Sequence, residues 1–244
     1  MNTPIFTLIM CYLVFCNTEA KAQSYPRWFL ETGRVPCQTA VGYEKVSIFP
    51  DSAVNRAFEQ ACLNWVRQKQ VTIQGGQAFW STEIGTVWMG SDFYESFDSS
   101  RVSIAQNSMQ KLDSLISKNM VAVLVGPKEC PLADSLKQSV NVAEIPGPEW
   151  IKSLPENSHY VYAIGAATEY FYEASSWLEA EYNARLNLAR EVFTRIQSLQ
   201  KVTTAGEEVR HEETKVVLRN LRIVARWLDL KNKIFYVLIR MPIN

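Results

Sequence analysis

The chain has 244 residues, 47% of them hydrophobic, with 25 basic against 25 acidic side chains. That length fits one large domain or two of ordinary size, and the apolar content excludes a disordered chain. A formal net charge of zero leaves no basic excess to draw the protein to phosphates, which sets nucleic acid aside as a partner.

Residues 1–22 read as an export signal outside the fold. Pro4 to Phe15 is an apolar run, too short to span a bilayer as a helix of about 20 residues. Ala20-Lys21-Ala22 follows as a small-x-small cleavage site, which gives a mature start at Gln23. Leu13-Val14-Phe15-Cys16 also has the outline of a lipoprotein box, with Phe15 where a small residue normally stands. Lipidation at Cys16 is therefore the second outcome for this segment. Both outcomes export the protein, to the periplasm, the outer membrane or the cell surface; the third is a retained segment.

Behind the signal, Thr39–Tyr43 leads into a first strand and Ser52–Arg67 reads as a helix. Cys37 precedes that strand and Cys130 follows the last strand of the same half, Met120–Val125. If those strands are antiparallel neighbours their opposite ends meet, which makes a Cys37–Cys130 disulfide feasible in an oxidising compartment. Cys62 falls mid-helix beside Phe58 and Trp65 and reads as a buried small hydrophobe. Between helix and closing strand, Gly75-Gly76, Gly85 and Gly90 are interleaved with aromatics. Trp80, Trp88, Phe93, Tyr94 and Phe97 in this stretch form the candidate contact surface, the other reading being rings folded back onto their own core.

Lys128–Gly147, with Pro131, Pro146 and Gly147, suits a linker, with room for one short helix. Tyr160–Ala166 is strand-like, and Ser175 or Ser176 is a good N-cap, with Glu179 three residues after Ser176. Leu178, Tyr182, Leu186, Ala189, Phe193 and Ile196 then form the apolar stripe of a helix to about Gln200. Glu179, Glu181 and Glu191 lie off that stripe and read as solvated carboxylates. Lys201–Thr214 is polar, an irregular strand or a loose segment. Leu221–Trp227 and Phe235–Ile239, joined by Asp229–Asn232, form a hairpin.

The two halves repeat one another. Ala40-Val41-Gly42, Ser52, Ala57, Ala61, Leu63 and Asn64 recur 123 residues later as Ala163-Ile164-Gly165, Ser175, Ala180, Ala184, Leu186 and Asn187. Pro-x-Trp stands before each set, at Trp28 and Trp150. This periodicity implies an internal duplication: residues 23–127 and 148–244 as two like domains, 128–147 between them. Each domain is α+β, an antiparallel sheet (β-α-β-β) with one long helix on one face. The i,i+4 alanine pairs stand one above the other on the helix and let its axis approach the sheet closely.

Pro148-x-Trp150, Tyr160–Ala167, the helix through Ala180, Ala184 and Ala189, Val224–Asp229 and Tyr236–Pro242 together resemble the LPP-type small bacterial surface lipoproteins, the LPP-twenty group. The resemblance covers residues 148–242, with a diverged copy in 26–127. It implies a dodecin-like unit in an exported envelope protein, often outer-membrane-associated, and no enzymatic activity. The chain departs from that group at Phe15 and in carrying two copies.

Only His159 and His211 are available as imidazole ligands, and neither sits in a paired metal-binding spacing. No nucleophile elbow or phosphate-cradling glycine loop is present. The reading is therefore no catalytic residue, no metal and no cofactor. The expected function is a structural or protein-binding module of the envelope, with other envelope proteins, copies of itself, cell-wall polymer or the outer membrane as partners. The alternative is a small-molecule binder using a groove between helix and sheet, with Trp177 and Trp227 stacking on the ligand. The third is a hydrolase with a site between the domains.

Overall fold

A computed structural model describes the backbone of residues 23–82, 85–199 and 209–243, and the side chains of 23–75, 93–194 and 215–243. Residues 1–22, Cys16 among them, and the Lys201–Glu208 stretch fall outside it, as do the side chains of Trp80, Trp88 and His211. In chain order the elements are β1 (Ser24–Pro26), α1 (Arg27–Leu30), β2 (Ala40–Glu44), α2 (Pro50–Lys69), β3 (Gln70–Thr82), β4 (Gly85–Ser96) and α3 (Arg101–Ser108). There follow β5 (Met109–Ile116), β6 (Val121–Pro127), α4 (Asp134–Lys137), β7 (Ser139–Asn141), β8 (Tyr160–Thr168), α5 (Glu173–Leu199), β9 (Val209–Arg219), β10 (Arg222–Asp229) and β11 (Ile234–Pro242). The fold is mixed α+β, its strands gathered in small antiparallel sheets. No helix among the described residues is long and apolar enough to cross a membrane.

Among the described residues three sheets have three strands each, in the orders β2-β6-β5, β10-β11-β8 and β4-β3-β9, and β1 pairs with β7. The first two share one plan: the strand before the long helix lies beside the last strand of its half, which takes the centre. Alternation along these strands decides what each face meets. Ala40, Val121, Val123 and Val125 face the core under α2 with Ala57 and Ala61. Val41, Tyr43, Ala122 and Leu124 turn the other way, into the larger core that holds Trp177, Ala180, Ala184 and Leu188 of α5. Helix α5 is thus enclosed by the back of the first sheet and the inner face of the second. The layers run α2, first sheet, α5, second sheet.

Both helices touch their sheets at glycine. A Cβ added to Gly42 would lie 2.0 Å from the Ala57 carbonyl oxygen and 2.2 Å from the Ala61 nitrogen. At Gly165 the same distances hold to Ala180 and Ala184. The alanine pairs thus work together with a glycine on the strand, which lets the helix backbone itself come down onto it.

Several expectations are revised. Helix α5 starts at Glu173, before the serines expected to cap it; the Ser176 hydroxyl, inside the first turn, accepts instead from the Tyr170 amide at 2.8 Å. The Gly- and aromatic-rich stretch, whose glycines among aromatics suggest no clean strand pattern, is regular: its glycines fall within the long antiparallel hairpin β3–β4. Residues 128–147, expected as a linker, carry α4 and β7, and β7 pairs with β1 near the start of the chain. Strand β9, in the polar stretch after α5, pairs along β3 from Gln70↔Arg219 to Trp80↔Val209. One sheet is therefore shared by the two halves, which do not stand as independent domains on a tether. Trp28 is fully buried and donates to Asp113 at 2.9 Å, whereas Trp150 is only half-buried.

Candidate functional site

The expected contact surface is dispersed. Phe93 packs against the larger core with the Arg190 guanidinium 5.1 Å from its ring centre, and Phe97 against the smaller core with Arg67 at 4.7 Å. Tyr94 alone of the three is exposed, its hydroxyl donating to Gln74 at 2.8 Å. The backbones of Trp80 and Trp88 lie on β3 and β4.

Exposed apolar side chains gather elsewhere. Among the described residues thirteen large hydrophobic side chains are exposed, and eight belong to one end of the molecule: Val46, Ile48, Phe49, Ile116, Tyr170, Phe171, Tyr172 and Leu230. Topology puts them together. Lys45–Phe49 connects β2 to α2, and Glu169–Tyr172 makes the equivalent connection from β8 to α5. The hairpin turns 117–120 and 230–233 lie beside those connections, because Glu44 pairs with Val121 and Thr168 with Ile234. The Lys45 ammonium lies 5.5 Å from the Tyr172 ring centre, so the two connections meet.

A cleft of about 530 Å³ opens between them, lined by Val46, Lys118, Asn119, Tyr170–Tyr172, Glu173 and Gln23. Its wall carries a buried carboxylate. Glu173 accepts from the Tyr25 hydroxyl at 2.6 Å, the Gln23 amide at 2.8 Å and the Trp177 indole at 3.4 Å. Burial raises the Glu173 carboxyl above its ordinary range against the lowering effect of those donors. Burial, and then the charge of Glu173, push the Tyr25 phenol well above its own range. Aromatic walls, one hydrogen-bonded carboxyl and an open mouth can hold a neutral or cationic group.

A second polar cluster is sealed. The Arg226 guanidinium donates to Glu181 at 2.8 Å, to the Tyr43 hydroxyl at 2.7 Å, and to Thr32 and the Phe29 carbonyl at 2.6 and 2.9 Å. Tyr43 also donates to Glu181. Arg185, paired with Glu95, lies 3.9 Å from Glu181 and extends the charge row toward Arg67. Glu181 is 2% exposed, not solvated as its place off the apolar stripe suggested. Each charge has a partner, and the cluster lies between α5 and the back of the first sheet, where it fixes two layers.

Cys37 and Cys130 form a disulfide with Cα atoms 5.9 Å apart. Cys62 is buried, and burial together with Glu59 pushes its thiol up to about 11. Trp177 is a core residue, edge-on to Phe29 and Phe235, and Trp227 lies half-buried against Tyr236. The glycine contacts of both helices leave no room for a ligand between helix and strand there. His159 immediately precedes β8, and among the described residues no three His, Cys, Asp or Glu side chains converge on a metal-sized site. The sequence does carry a signal for the apolar end: Tyr170-Phe171-Tyr172 is an aromatic run between a strand and a helix, and Ile48-Phe49 precedes Pro50 in the matching place.

No protein-family profile, no curated protein and no solved structure matches the chain.

Proposed function

We propose that the protein is an exported, non-enzymatic component of the bacterial cell envelope, built from two copies of one β-α-β-β unit and acting as a structural or binding module through its apolar end. The copy reading is supported by the shared strand order and by the matched glycine–alanine contacts. Matched asparagines add to it: Asn64 and Asn187 each donate at 2.8 Å to the strand carbonyl of Val41 or Ile164. The envelope reading is supported by the export-type sequence of residues 1–22 and by the resemblance of 148–242 to LPP-type lipoproteins. The binding role is carried by one observation, the concentration of exposed apolar side chains on the paired connections. A chain that folds only for itself has little reason to display them.

Fractionation of the producing cell, with mass spectrometry of the mature N-terminus, tests this reading. The expected result is an envelope or periplasmic protein starting at Gln23 or at an acylated Cys16. A cytoplasmic protein retaining Met1 overturns it. The cleft beside Glu173 favours one second reading, a small-molecule binder at the same end of the molecule. That reading requires a ligand that raises the melting temperature of the native protein and has no effect on Glu173→Gln.

A further inference from the structure

We infer that the end of the molecule carrying the paired connections is a lipid-facing surface, which seats the protein on a bilayer by shallow insertion of Ile48, Phe49 and Phe171. The inference rests on the envelope reading above and names the partner of that surface.

The shape of the surface selects the partner. Phe171 is 94% exposed, Ile48 88% and Phe49 67%. These side chains form neither the floor of a groove nor a flat sheet face: Phe171 lines the cleft while almost wholly exposed, and Ile48 and Phe49 stand on the connection just ahead of α2. A folded partner would need a separate pocket for every tip, whereas the headgroup and upper acyl region of a bilayer closes around any protrusion. The residues around the tips have the chemistry of that boundary. Tyr170 and Tyr172 flank Phe171 with rings that are apolar in body and polar at the end, as interfacial aromatics are. Lys45 and Lys118 are exposed beside them, placed to meet lipid phosphates.

Chain direction gives an independent argument. Gln23, the first described residue, lines the cleft between the connections. The preceding 22 residues therefore join the fold at this end, and they carry the apolar run Pro4–Phe15 and the candidate lipidation site Cys16. An anchor at Cys16 would be seven residues from Gln23 in the cleft wall, so it would hold this end, rather than the opposite one, against the membrane. Two weak contacts acting together, an acyl chain and an apolar protein surface, are what stable anchoring requires.

The test is flotation of the purified full chain, in its processed form, with vesicles of phosphatidylethanolamine and phosphatidylglycerol. The native protein floats with the vesicles. The double variant Ile48→Ser/Phe171→Ser keeps its melting temperature and binds roughly a hundredfold more weakly, about tenfold per side chain removed. Tyr94→Ser, exposed on the β3–β4 hairpin, binds as the native chain does. Since residues before Gln23 could hold the protein on vesicles by themselves, a second readout places an environment-sensitive fluorophore on Phe171→Cys. Its emission shifts to the blue on adding vesicles, and the same label on Leu154→Cys does not shift. Undiminished binding by the double variant together with an unshifted label at 171 overturns the inference. So does a native chain that ignores vesicles but forms a dimer which the double variant dissolves, since the occupant is then a second copy. A chain found in the envelope that fails both readouts loses only the lipid assignment; a chain absent from the envelope loses the reading beneath it.

Discussion

The two helices meet their sheets in the same way and then live in different surroundings. Helix α2 rests on the first sheet through Ala57, Ala61 and Gly42, as α5 rests on the second through Ala180, Ala184 and Gly165. The positions next to those alanines differ: Phe58 and Cys62 on α2 become Glu181 and Arg185 on α5, 123 residues on. The reason is what lies on the far side. Beyond α2 are α3 and solvent, while beyond α5 is the back of the first sheet, with Tyr43 and Arg226 waiting in the gap. The comparison teaches that the helix–strand contact is a self-contained unit, whereas the opposite side of each helix is set by position in the stack.

The largest test of that unit is Gly42→Ala against Gly165→Ala. Each adds a methyl 2.0 Å from a helix carbonyl oxygen, where only backbone displacement can make room. Each is expected to cost more than about 4 kcal/mol, beyond the range of ordinary overpacking. Urea denaturation followed by far-ultraviolet circular dichroism measures both. A small effect at one glycine and a large effect at the other breaks the equivalence of the two contacts.

Glu181→Ala probes the side where the helices differ. It leaves Arg226 and the Tyr43 hydroxyl buried without their carboxylate, an expected loss of about 3–5 kcal/mol. Phe58→Ala, at the matching place on α2, removes a half-buried ring and no charge, and should cost less. Replacing both ends of the pair, Glu181→Leu with Arg226→Met, should recover much of the loss, because no unpaired charge then remains. Additive losses in that double variant would mean the pair is not the cause.

The first half is also the only one with a staple. The Cys37–Cys130 bridge closes a separation of 93 residues, and reduction is expected to destabilise by about 2–5 kcal/mol. Thermal melts with and without dithiothreitol measure it. Cys62 does not complicate the experiment, because its thiol, raised to about 11 by burial and Glu59, stays protonated at neutral pH. An unchanged melting temperature after complete reduction would show that the bridge adds nothing to the fold.

The helix starts differ too, since α2 begins at Pro50 and α5 at the buried Glu173. Burial raises the Glu173 carboxyl in the folded state. A carboxyl of that kind binds its proton more tightly when folded, so its stabilising contribution is full below the ordinary glutamate range. That contribution is lost as pH rises through the raised value. Glu173→Gln should therefore gain in stability relative to the native chain as pH rises from the ordinary glutamate range through the raised value. A constant difference across that range would assign Glu173 an ordinary carboxyl.

How much of this was legible depends on the range over which the signal acts. The hairpin β10–β11 could be read from residues close in sequence, Leu221–Trp227, Asp229–Asn232 and Phe235–Ile239, and the close helix approach from the i,i+4 alanines. The pairing of β9 with β3 could not: its buried apolar pairs, Val71 opposite Leu218 and Ile73 opposite Val216, sit at one end and alternate with polar pairs such as Gln74 opposite Lys215, too short a pattern in β9 to announce a partner. Glu181 was misplaced for a related reason. Helical periodicity shows which face is apolar, but it does not say whether the remaining face meets water or a second sheet. The apolar end was less legible because Phe171 stands in a short connection with no periodicity of its own, whereas the tryptophans and glycines of the β3–β4 hairpin stand out by composition alone.

The smallest effect separates the units most finely. Asn64 and Asn187 make the same hydrogen bond at the same 2.8 Å to the same strand position, and each accepts from an arginine three residues on, Arg67 or Arg190. Their exposure differs: Asn64 is buried and Asn187 is exposed. When Asn64 becomes alanine the Val41 carbonyl loses a partner in a site that water reaches poorly, so the cost should be about 1–3 kcal/mol. When Asn187 becomes alanine, water can replace the amide at the Ile164 carbonyl, and the cost should be about 0.5 kcal/mol. The two denaturation midpoints measured side by side decide whether burial, with geometry held constant, sets the worth of this bond. Equal losses would mean that geometry alone does.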